Sequence, residues 1–122
     1  MIKVTKIEEK GRNEKGITFE IENLDRTGKY ILAQRNKGSI SGGHYHKGIS
    51  PTKNPEIVFL LQGEVVLKYK SLESSDFSEL KIEALSKIEI FPNTWHELHA
   101  LSDILFLELN SLKEGDLDTF KV

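Results

Sequence analysis

Polar and apolar residues alternate with a period of two over much of the chain, and helical periodicity is hard to find. Ile17–Asn23 (ITFEIEN) and Lys87–Phe91 (KIEIF) alternate cleanly, and Lys29–Arg35 (KYILAQR), Leu80–Leu85, Trp95–Leu101 and Ile104–Leu109 (ILFLEL) read as further strands. Glu56–Tyr69 (EIVFLLQGEVVLKY) splits at Gln62-Gly63 and predicts two strands joined by a tight turn, since Gly supplies the positive φ such turns need. Asn36–Gly43 (NKGSISGG) predicts a turn-rich connection, Ser71–Ser78 a polar loop, and Lys47–Pro55 (KGISPTKNP) a loop, because proline removes a ladder donor and restricts the residue before it. The tail, Lys113–Val122, predicts a closing strand or a loose end. Many short strands at a spacing of 8–12 residues in a chain of 122 predict an all-β fold, a small sandwich or barrel.

Composition narrows the chemistry. A chain of 122 residues predicts a single domain over 1–122. The 17 Lys+Arg against 19 Asp+Glu leave a net charge of −2, which argues against a nucleic-acid binder working through bulk charge. The opening decapeptide carries five charges and no apolar run, and no membrane-length apolar segment follows, so neither a signal peptide nor a membrane partner is expected and a cytoplasmic location is. Cysteine is absent, which excludes disulfides, thiolate metal sites and thiol catalysis. Metal chemistry, if any, runs through nitrogen and oxygen.

The four histidines fall in two pairs. In His44-Tyr45-His46 strand alternation turns both imidazoles to one face and Tyr45 to the other. Two such rings can meet one ion, or two surface histidines can simply follow a Gly-rich loop. His96 and His99 are three apart, so in a strand they face opposite ways and only one can join the first pair. His96, nearer the Pro92-Asn93 turn, is the better candidate, and His99 is expected at a rim. Glu56 opens an apolar strand, either as a solvated start or as an inward carboxylate. Neutral imidazoles with one carboxylate suit Fe, Mn, Ni, Co or Zn.

These residues resemble the cupin superfamily. Gly38, five residues, His44-x-His46, then Glu56, six residues and Gly63 follow both ends of the first cupin motif, G-x5-H-x-H-x3–4-E-x6-G, but nine residues separate His46 from Glu56 where the motif has three or four. In the second motif, G-x5-P-x-G-x2-H-x3-N, His96 holds the histidine slot, Asn93 replaces a glycine, and Phe91, Leu85 and Ala100 replace the remaining conserved types. The resemblance covers the motif-bearing part of the chain, about 29–110. It implies an antiparallel jelly-roll β-barrel, His44, His46, Glu56 and His96 converging on one divalent metal ion at its mouth, and a homodimer formed through the N-terminal segment Ile2–Ile7.

The strings HYHK (His44–Lys47) and FPNTWHEL (Phe91–Leu98) look like those of small cupins of sugar-nucleotide and polysaccharide pathways. Three functions are therefore expected in competition. One is a metal-dependent protein binding or acting on a small polar metabolite such as a carbohydrate or nucleotide sugar. The second is a metal-free nucleotide-sugar isomerase or epimerase with His44 and His46 as catalytic acid and base. The third is a non-catalytic sugar-binding cupin. Lys68 and Tyr69 are further candidates for the mouth.

Overall fold

The computed structural model describes residues 1–22 and 25–121. Eleven strands and one short helix are formed among these: β1 (Ile2–Lys6), β2 (Glu9–Asn13), β3 (Gly16–Phe19), β4 (Ile31–Arg35), β5 (Ile40–His44), β6 (Glu56–Gln62), β7 (Glu64–Ser71), β8 (Ser78–Glu83), β9 (Ser86–Ile90), β10 (Thr94–Ala100), β11 (Ile104–Glu108) and α1 (Leu112–Leu117). A five-stranded sheet runs β1-β9-β6-β11-β4, a four-stranded sheet runs β5-β10-β7-β8, and β2-β3 form a separate hairpin. All pairings are antiparallel.

The two larger sheets bury their inner faces in one core. Val58, Leu60, Ile88, Ile90, Ile104 and Phe106 come from the first, and Val65, Leu67, Ile82 and Ala100 from the second. The predicted jelly-roll architecture is thus present as two facing sheets that are not hydrogen-bonded into a closed barrel. β1 lies at the edge of its sheet, paired only with β9.

Four local expectations change. The segment Glu56–Tyr69 is not a hairpin: β6 and β7 belong to opposite sheets. Gly63 turns the chain from one layer to the other with φ at +89°, and a Cβ there would run into the Asp103 carbonyl and lie 2.6 Å from Ser102 Oγ. A sheet-crossing turn and a hairpin turn both need glycine, so the local sequence does not separate them. The Asn36–Gly43 connection is turn only at its start, because Ile40–His44 pairs with β10. Its glycines hide a strand from a hydrophobicity pattern. The hairpin β2–β3 was not expected, since Glu9–Asn13 is exposed throughout and shows no apolar alternation; the predicted strand Ile17–Asn23 begins inside it, and Asn23 lies outside the described residues. The tail forms α1 and then, beyond it, joins Tyr45 through a single antiparallel bridge at Phe120. Ser111 caps it, with its side chain accepting from the Glu114 N–H and the Glu114 side chain accepting from the Ser111 N–H. The Ser-x-x-Glu signature at 111–114 was the legible signal.

Candidate functional site

The site forms where β5 lies against β10. His44 and His96 are cross-strand partners, and the register slips between His96 and Glu97. Gly42 permits the approach: its φ is +94°, and a Cβ there would lie 2.9 Å from the His96 carbonyl oxygen. Beyond β5, Tyr45 pairs through its backbone with Phe120, its N–H donating over 2.9 Å, and stacks its ring at 5.7 Å from that of Phe120. Alternation then returns His46 to the inner side. The Asn93 N–H donates to the His46 carbonyl at 2.7 Å, and Asn93 adopts the expected positive φ, +62°. This bond ties the two histidine segments together.

The three rings form a triangle with centroid separations of 4.9, 4.9 and 5.2 Å. Each of His44, His46 and His96 offers a ring nitrogen within 4.8 Å of the others. His99 lies outside: it faces away on β10 and meets Glu97 Oε1 at 2.7 Å. Lys68 is also outside, over the Phe77 ring at 4.5 Å, beside Trp95 on the outer face. Tyr69 packs against the core cluster.

Two rings have assigned tautomers through the carbonyls they face. His46 Nδ1–H donates to the Asp118 carbonyl at 2.6 Å, and His96 Nδ1–H donates to the Thr94 carbonyl at 3.0 Å. Their Nε2 atoms are left for the site. His46 Nε2 meets Glu56 Oε2 in an ion-pair approach that is not aligned as a regular hydrogen bond, and it has no other partner. The same Glu56 oxygen accepts from Lys53 Nζ at 2.9 Å. His46, Lys53 and Glu56 are 2%, 3% and 4% exposed, so this charge cluster is sealed from solvent.

Burial by itself would push the Glu56 carboxyl up. The contact with His46 and the charge of Lys53 outweigh it and hold the carboxyl below the ordinary range. His44 is lowered to about 4, first by burial and then by the neighbouring His96 and His46. His96 is lowered too, mainly by burial. Both rings are therefore neutral at pH 7.

A cavity of about 70 Å³ opens beside the triangle, lined among others by His44, His96, Glu56, Val58, Phe106 and Glu108. That space holds a few waters, not a nucleotide. Glu108 is a residue that the sequence reading did not single out. Burial, then the charge of Glu56, raises its carboxyl to about 7, and Asn110 Nδ2 donates to it at 3.5 Å. The signal was present: Ile104, Phe106 and Glu108 share one face by alternation. Asp118 was missed as well. It is wholly buried, accepting from the N–H groups of Lys47 at 2.8 Å and Ser50 at 3.1 Å while its own carbonyl orients His46. Only the return of the C-terminus to this loop reveals it.

Glu56 does reach the site across the long loop, but not as a free ligand. The three histidines have the spacing to surround an ion, whereas Glu56 is outside their mutual set and its Oε2 already contacts Lys53 Nζ and His46 Nε2.

Two facing antiparallel sheets with histidines at one mouth make this a cupin-type fold. Comparison with solved structures gives the particular likeness. QdtA, a sugar 3,4-ketoisomerase from Thermoanaerobacterium thermosaccharolyticum in complex with TDP, superposes with a TM-score of 0.71 at 15% identity, over 99% of this chain and 88% of that one. The dTDP-4-dehydrorhamnose 3,5-epimerase of Sulfolobus tokodaii gives a TM-score of 0.66 at 16% identity, over 88% and 68%. The capsular polysaccharide assembling protein CapF of Staphylococcus aureus gives 0.63 at 14%, over 97% of this chain and 33% of that one. No protein-family model matches the chain, and no curated protein does. Among the described residues no helix is long and apolar enough to cross a membrane.

Proposed function

We propose that the protein is a nucleotide-sugar isomerase or epimerase acting on a 4-keto sugar without a metal ion. The observation that carries this reading is the division of labour among the histidines. His44 borders the cavity with neutral ring nitrogens that make no hydrogen bond among the described residues, while His46 is locked between the Asp118 carbonyl and the Glu56 carboxylate. Ketoisomerisation and epimerisation both begin with loss of a proton from a carbon beside a ketone. In this reading His44 takes that proton. The sugar carbonyl enters the mouth, and the nucleotide lies outside, because the cavity of about 70 Å³ admits no more. The likeness to QdtA and to the 3,5-epimerase supports the substrate class.

The test is incubation with TDP-4-keto-6-deoxyglucose in D₂O, followed by proton NMR. Isomerisation should remove the carbon-3 proton and place deuterium on carbon 4 of the 3-keto product, whereas epimerisation should exchange the protons at carbons 3 and 5 for deuterium. His44→Asn should slow exchange by about 10²–10⁴-fold, the usual worth of a positioned general base. Absence of exchange across a panel of 4-keto nucleotide sugars, or exchange unaffected by His44→Asn, would refute the reading.

A further inference from the structure

Lys53 sits on the segment that lengthens the His46–Glu56 spacing to nine residues, and its burial is unusual for an ammonium group. Lysine is almost never fully buried unless paired, and this one is 3% exposed with its Nζ 2.9 Å from Glu56 Oε2. Its placement is built from several directions. Lys53 forms a backbone bridge with Glu56, and its N–H donates to the Ser50 carbonyl at 2.9 Å. The Arg26 guanidinium donates to the Pro51 and Pro55 carbonyls at 2.9 and 2.8 Å, clamping the loop from outside. Asp118 holds the loop at Ser50. The ammonium therefore belongs to the site and cannot swing out to water without opening the loop.

We propose that Lys53 is the resident cation of the barrel mouth: it occupies the counter-charge position beside Glu56 that a divalent ion would fill, and so keeps the three-histidine cluster free of metal. Two physical facts carry this. Glu56 Oε2 already meets both Lys53 Nζ and His46 Nε2, so an ion shared by that oxygen and His46 must force the contact apart. A divalent ion bound there would also lie within a few ångströms of a fixed, buried positive charge, where repulsion is weakly screened. The inference does not depend on the sugar reading, since it is read as ion affinity and not as turnover.

The experiment titrates untagged protein with Ni²⁺ and, separately, with Co²⁺, following heat and the visible absorption of cobalt. Wild type should bind weakly. Lys53→Met, which keeps length and removes charge, should bind one ion tighter by on the order of 10–100-fold, the scale on which neighbouring groups tune metal sites. Lys53→Arg should stay weak, and adding Glu56→Gln to Lys53→Met should abolish the gain. If Lys53→Met is unfolded alone, recovery of its folded spectrum on adding Ni²⁺ supports the proposal, and failure to recover it counts against. Equal affinity in wild type and a folded Lys53→Met overturns it, as does tight wild-type binding that Glu56→Gln weakens.

Discussion

Replacing Glu108 by Gln should raise stability, and raise it more as pH increases. The side chain lines the cavity between the sheets, with the charges of Glu56 and Lys53 nearby and Asn110 as its hydrogen-bond partner. Below pH 4.5 the carboxyl is protonated in both folded and unfolded chains and contributes no pH dependence. Between 4.5 and about 7 the unfolded chain ionises while the folded chain keeps its proton. The folded state then binds more protons, so stability falls as pH rises, and the loss is complete above about 7. A displacement from 4.5 to about 7 corresponds to roughly 3 kcal/mol. Water in the cavity screens part of this, leaving an expected effect of about 1–2 kcal/mol. Gln keeps the shape and the contact with Asn110 but cannot ionise. Urea unfolding of both proteins at pH 5, 6, 7 and 8, followed by the fluorescence of the single tryptophan, measures the difference directly. The other titrating groups are common to both proteins, so their effects largely cancel in the comparison. A difference that does not change with pH, or one that shrinks as pH rises, would refute the argument.

The remaining predictions concern the scaffold and the rings. Asp118→Ala strands the N–H groups of Lys47 and Ser50 and should cost about 2–4 kcal/mol by chemical denaturation, with Asp118→Asn losing less because it keeps one acceptor; a loss below about 0.5 kcal/mol for Ala would contradict the role. Gly63→Ala places a methyl against Asp103 and Ser102 at positive φ and should cost about 3 kcal/mol or more, and a melting temperature within 2 °C of wild type, using roughly 4 °C per kcal/mol, would show that the turn has room. By ring-carbon NMR, His44 should stay neutral until the pH approaches about 4, because burial and its two histidine neighbours disfavour the charged ring. A His44 titration midpoint near the ordinary 6.5 would place it in bulk-like solvent instead.

How much of the site was legible is clearest residue by residue. His44 and His46 were paired correctly because alternation along one strand is a local property, and the same alternation put Tyr45, Trp95 and His99 on the other side. The choice of His96 over His99 came from its place by the turn, and the β5–β10 register confirms that it meets His44. Glu108 was within reach of the same reasoning but lay hidden in an apolar run. Asp118 was not, since only the returning C-terminus brings it to Lys47, Ser50 and His46, and Lys53, though three residues from Glu56, stands in a loop whose sequence does not show that its ammonium is buried.

By itself the sequence determined the all-β class, most strand positions, the inward histidines and the absence of thiol chemistry. These follow from residue type and from the period-two geometry of an extended chain. Only the tertiary structure decided which sheet each strand joins, and that Glu56 answers to an ammonium group before it can answer to a metal ion. The reason is physical: a buried charge must be compensated by whatever group the fold brings within contact, and that group can come from any distance along the chain. Here it came from three residues away, in a loop whose composition marked it only as a loop and whose burial only the fold decides.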